Sequence, residues 1–65
     1  MQAKNNILQN NNGDSIAFQV LRSSNVANVD FYKSDKLEQK FENISLEHAN
    51  KLWYTAIKTG YEVAF

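Results

Sequence analysis

Apolar residues recur along this chain with two different periods. Between Ser15 and Arg22, Ile16, Phe18 and Val20 alternate with Ala17, Gln19 and Leu21; between Val26 and Tyr32, Ala27, Val29 and Phe31 alternate with Val26, Asn28, Asp30 and Tyr32. A period of two puts each set on one face of a strand, so both segments read as half-buried β-strands. From Ile44 onward the period changes. Leu46, Ala49, Leu52, Trp53, Ala56 and Ile57 are spaced i, i+3, i+4, i+7, and at ~100° per residue they fall within an arc of roughly 140°, one face of an amphipathic helix.

The residues at the helix ends agree with that reading. Ser45 is placed to act as N-cap, its hydroxyl accepting from a first-turn N–H that has no partner inside the helix. Glu47 and Lys51 are spaced i, i+4, and Glu47 and Lys58 suit the two ends of the helix dipole. Gly60 stands where a left-handed C-terminal residue belongs, so the helix is expected over about Leu46–Thr59, with a short strand from Tyr61 to Phe65.

Upstream, residues 1–5 are expected to be a disordered tail, leaving one domain over 6–65. Ile7, Leu8 and Gln9 suit a short strand; Asn10 to Asp14 and Ser23 to Asn25 are turn segments, since Asn, Gly and Asp tolerate left-handed backbone. Lys33 to Asn43 admits two readings. Leu37, Phe41 and Ile44 have helical spacing, yet Leu37, Gln39 and Phe41 also share one face of a strand; the strand is favoured because Lys33 to Lys36 suits a hairpin connection. The expected order is β-β-β-β-α-β, an α+β domain with an antiparallel sheet of three to five strands and one helix across one face. Its core would combine the helix face with Ile16, Phe18, Val20, Val29, Phe31, Leu37 and Phe41. Leu21, Val26 and Tyr32 point the other way, and would form an apolar strip if that face is uncovered.

Composition narrows the chemistry. At 65 residues the chain lies near the lower size limit for folding without staples, and it has no cysteine for disulfides or iron–sulfur ligation. Seven basic residues balance seven acidic ones, which argues against a dedicated nucleic-acid binder. No secretory signal or apolar run of about 18 residues is present, so a cytoplasmic protein without a membrane anchor is expected. The single histidine, His48, falls on the polar side of the helix's first turn and reads as solvated; with both glycines explained by turns, there is neither a phosphate loop nor a metal-ligand constellation. No catalytic, cofactor-binding or metal residue is assigned.

What remains is surface. Tyr54 shares the outward helix stripe with Lys51 and Lys58, Tyr32 lies on the outward sheet face, and the terminal strand offers Tyr61, Phe65 and unpaired backbone groups. These six residues are the candidate contacts for a protein partner or for self-association. The helix carries a further likeness: Ala49, then Leu52-Trp53, then Gly60-Tyr61 resembles the C-terminal signature of a family of small uncharacterised marine-cyanobacterial proteins, which end in an alanine, a Leu-Trp pair and a Gly-Trp or Gly-Tyr. The resemblance implies a source and a fold, and no activity. The expected function is that of a small non-catalytic interaction or regulatory protein acting on a larger protein. The alternative is a nucleic-acid accessory protein using Lys51, Lys58, Tyr54 and the Lys33, Lys36, Lys40 cluster, whose field Asp35, Glu38 and Glu42 largely cancel.

Overall fold

The computed structural model describes residues 5–21 and 23–64. Five strands, β1 (Asn5–Gln9), β2 (Asp14–Leu21), β3 (Val26–Lys33), β4 (Lys36–Ser45) and β5 (Glu62–Ala64), form one antiparallel sheet in the order β4-β3-β2-β1-β5, with helix α1 (Leu46–Lys58) between β4 and β5 in sequence. The α+β expectation holds, and 33–43 resolves as hairpin and strand. Residues 1–4 of the expected tail, Arg22 and Phe65 lie outside the described residues, and Asn5 already belongs to β1.

Turn chemistry sets the register of the meander. In the β1–β2 turn the Asn10 side-chain oxygen accepts from the backbone N–H groups of Asn12 at 2.9 Å and Asp14 at 3.0 Å, while Gly13 takes φ +86°. At the β3–β4 turn both central residues, Ser34 (φ 51°) and Asp35 (φ 69°), are left-handed, as a two-residue hairpin matched to strand twist requires. Each of the three consecutive strand pairs is antiparallel, and β5 is antiparallel to β1. It follows that β4 and β5 run the same way at opposite edges. A hairpin cannot join such strands, and α1 is the crossover that does.

The helix begins and ends where its end residues dictate. Ser45 closes β4 and at once caps α1, its hydroxyl accepting from the His48 N–H at 3.1 Å. At the other end Thr59 is the C-cap, one residue short of the expected helix, and Gly60 follows at φ +106°. The Tyr61 N–H donates to the Ala56 carbonyl at 3.0 Å and the Gly60 N–H to that of Ile57 at 3.3 Å, so two carbonyls of the last turn are satisfied as the chain reverses.

The core is the layer between helix and sheet: Leu8, Ile16, Phe18, Ala27, Val29, Ala49, Trp53 and Ala56. Trp53 meets Phe18 edge-on at 5.2 Å between centroids, and Phe31 meets Phe41 likewise at 5.8 Å, the offset geometry that aromatic quadrupoles favour. Phe31, Phe41, Ile44, Leu46, Leu52 and Tyr61 pack around this centre.

Three residues expected in that layer are not in it. Val20 is only half-buried and is not among the residues packed around the centre. Leu37 is 52% exposed, because Phe31 pairs with Gln39 while Tyr32 pairs with Leu37, which leaves Glu38 as an extra residue. A bulge reverses the alternation beyond it, so Leu37 joins Tyr32 on the face away from the helix. Ile57 is 39% exposed. The buried residues Ala49, Trp53 and Ala56 place the helix's inward direction away from Ile57, which falls on the flank. Conversely, Leu8 is completely buried; it sits between Ile16 and Val63 in the register and makes β1 part of the core.

Candidate interaction surfaces

Three surfaces carry the residues singled out in the sequence. The first is the outer stripe of α1. Tyr54 is 57% exposed, and Glu47, Asn50, Lys51, Thr55 and Lys58 surround it. All six side chains come from one helix. The surface is therefore convex, with a phenol ring between two ammonium groups and one carboxylate, and among the described residues no second element supplies a wall.

The second is the sheet face turned away from α1. Its cross-strand rows follow from the register. One row holds Glu62, Gln9, Ser15, Tyr32 and Leu37; the next holds Ala64, Ile7, Ala17, Asp30 and Lys40; farther on come Gln19 with Asn28, then Leu21 with Val26 and Ser45. The expected apolar strip of Leu21, Val26 and Tyr32 is not continuous. Leu21 and Val26 face each other at one end, Tyr32 and Leu37 at the other, and polar residues lie between. Tyr32 is half-buried, and Ile7 is 43% exposed. Near the middle, Asp30 Oδ1 is out of solvent contact and has no hydrogen-bond partner among the described residues. Lys40 stands opposite Asp30 in the register, yet its ammonium lies 4.0 Å from Glu42 Oε2.

The third surface is formed by the sheet edges. β5 contributes three residues and β4 ten. Tyr61, expected to be available with the terminal strand, instead packs against the core from the turn before β5. Burial, then the charges of Asp14 and Glu38, raise its hydroxyl pKa above the usual phenol value. Phe65 lies outside the described residues. Thus Tyr54, Lys51 and Lys58 form one surface, Tyr32 belongs to another, and Tyr61 to the core margin.

Leu37 and Ile7, both exposed on the open face, are not among the contacts that the sequence predicts. The signal for Ile7 was present in part, since strict alternation against a buried Leu8 turns it outward; the bulge that exposes Leu37 leaves no comparable mark. Among the described residues no group of three or more His, Cys, Asp or Glu side chains is placed to hold a metal ion, and no helix is long and apolar enough to cross a membrane. No protein family, no curated protein and no solved structure matches the chain.

Proposed function

We propose that this protein acts by binding, as a small non-catalytic interaction or regulatory protein whose contact surface for a larger protein is the sheet face opposite α1. The observation that carries this reading is that one layer of helix covers one side of the sheet, while Tyr32, Leu37 and Ile7 sit on the other. Size favours this face over the Tyr54 stripe. Five strands about 4.8 Å apart, with roughly six residues each at ~3.3 Å, span on the order of 500 Å² in projection, before side-chain relief is counted. The outer side of a 13-residue helix offers roughly 200 Å². A standard interface takes about 800 Å² of accessible surface per partner, which the sheet face approaches and the stripe does not.

The composition of the face defines the kind of partner. Apolar residues at its two ends and Gln19, Asn28 and Asp30 between them resemble the mixed surface of a non-obligate interface, not the apolar one of a permanent complex. Affinity capture from a lysate of the source organism tests the proposal. Wild type should retain a specific protein, Leu37→Lys and Ile7→Lys should lose it, and Tyr54→Ala should keep it. Retention by both lysine variants, or no specific partner at micromolar protein, would reject this face as the contact.

A further inference from the structure

Of the two strands that end the sheet, β4 has the length to receive another strand. It carries Lys36, Glu38, Lys40 and Glu42 at every second position, and two irregularities interrupt its pairing with β3. One is the extra residue Glu38. The other lies at Glu42–Asn43 opposite Asn28, where Asn43 takes φ 58° and its N–H donates to the Asn28 side-chain oxygen at 2.9 Å. Between them β4 is regular. Lys40 and Glu42 share the open face with side chains 51% and 62% exposed, and Phe41 points to the helix side, half-buried against Phe31.

We infer that β4 is the contact of a symmetric dimer, in which the β4 strands of two copies pair antiparallel about a two-fold axis at Phe41 and join two five-stranded sheets into one. The proposal is independent of the partner assigned above. A two-fold axis perpendicular to the sheet keeps open face beside open face, so an acceptable register must match both face and charge. Centring on Phe41 does both: Lys40 of each copy stands opposite Glu42 of the other, and the two Phe41 rings become neighbours on the helix side. Neighbouring registers fail. Centring on Lys40 sets lysine against lysine and Glu38 against Glu42, and centring on Glu42 sets glutamate against glutamate. Centring on Gln39 pairs Lys36 with Glu42 and Glu38 with Lys40 by sequence, but the bulge at Glu38 has reversed the alternation. Leu37 on the open face would then meet Phe41 on the helix face.

A lone lysine on an edge strand repels a second copy and guards the edge. A lysine with a glutamate two residues on does the opposite in this register, because the four charges alternate around a square: Lys40 and Glu42 within each chain, and each again across the axis. The regular stretch is short, so the buried area falls at the low end of protein contacts and the dimer should be weak and concentration-dependent. Added salt should weaken it further.

Sedimentation equilibrium from micromolar to millimolar protein, with charge-reversal variants, tests the inference. Wild type should dimerise. K40E and E42K should each shift the dissociation constant upward by at least about tenfold, since each sets like charges opposite one another at two places. Circular dichroism of both should match wild type, because both positions are exposed; melting of E42K should match as well, while K40E, which sets a glutamate opposite Asp30, should melt slightly lower and is compared well below its own transition. An equimolar mixture of the two should form a heterodimer, and the double variant K40E/E42K should dimerise like wild type, its charges again complementary to themselves. Monomeric wild type throughout the range, single variants that dimerise unchanged, or a double variant that stays monomeric would each overturn the inference. None of these outcomes bears on capture through Ile7 and Leu37, so the dimer and the partner surface stand or fall separately.

Discussion

Ile7 and Leu8 are neighbours in β1 with similar side chains, and the sheet treats them oppositely: Leu8 is fully buried beneath the helix layer, while Ile7 on the reverse side is 43% exposed. The same contrast runs through the middle of the sheet and fades at its edge, where Val63, paired with Leu8, is 47% exposed. Ile16, Phe18, Ala27 and Val29 are buried, whereas Ala17, Leu21, Val26 and Tyr32 on the same strands are only half-buried, and Leu37 less than that. Side-chain hydrophobicity does not separate these sets; coverage by α1 does. A two-layer α+β domain thus has one face that stabilises the fold and one that, among the described residues, no helix covers. The difference is expected to appear as two classes of mutational response, one in stability and one in binding.

The largest effect should come from the covered side. Trp53→Ala removes the ring that meets Phe18 and should cost about 3–5 kcal/mol, which for so small a domain is most or all of its stability. Tyr54→Ala, one residue along the same helix and facing out, should change stability by less than about 0.5 kcal/mol. Urea unfolding followed by circular dichroism measures both; comparable losses would mean that the helix is not held by the face described.

The strand pair Leu8 and Leu37 tests the contrast more sharply, because the same substitution is made at one buried and one exposed site. Leu8→Ala should cost about 2–4 kcal/mol through the cavity it leaves, and Leu37→Ala less than about 1 kcal/mol. Equal costs would show that the bulge at Glu38 does not expose Leu37. Partner capture should reverse the order, with Leu37→Ala the more damaging among variants that remain folded.

These residues also show what could be read before the structure. The helix was legible because its signals are local: a 3.6-residue period, Ser45 at one end and Gly60 at the other all lie within the element they define. β2 and β3 were legible for the same reason. Leu8 was not placed in the core, since its burial depends on β2 and β5 closing on either side, and β5 arrives from the far end of the chain. Leu37 was assigned to the core because a strict period of two carries no sign of an inserted residue. The charge pattern of β4 was visible in the sequence. Its self-complementarity was not, because the register that matches face with charge is defined only once the bulge at Glu38 is located. Tyr54 on the outside and Tyr32 on the reverse of the sheet were correctly oriented, but which surface is large enough to bind through depends on the sheet's width.

A smaller effect is expected at the junction where sheet becomes helix. Ser45→Ala removes the hydroxyl that accepts from the His48 N–H and should lower stability by about 1 kcal/mol. Ser45→Asp should retain most of it, since a carboxylate there still accepts the bond and also suits the positive end of the helix. If alanine is tolerated without loss, β4 rather than the cap fixes the start of the helix.

The smallest effect distinguishes the covered face by pH. Tyr61 packs against the core margin, and burial, followed by the negative charges of Asp14 and Glu38, raises its hydroxyl pKa from 10.0. The folded chain therefore holds this proton more tightly than the unfolded chain does. Below the unfolded value the contribution is fully present. Above it the unfolded state releases the proton first, so stability falls as pH rises toward and through the folded value. Other groups titrate in the same alkaline range, and the informative quantity is the difference between wild type and Tyr61→Phe, which keeps the packed ring and removes the ionisation. Wild type should lose stability more steeply than the variant as pH rises above 10.0, as seen in urea midpoints. Parallel curves would place Tyr61 in solvent, and with it the last turn before β5 outside the covered layer.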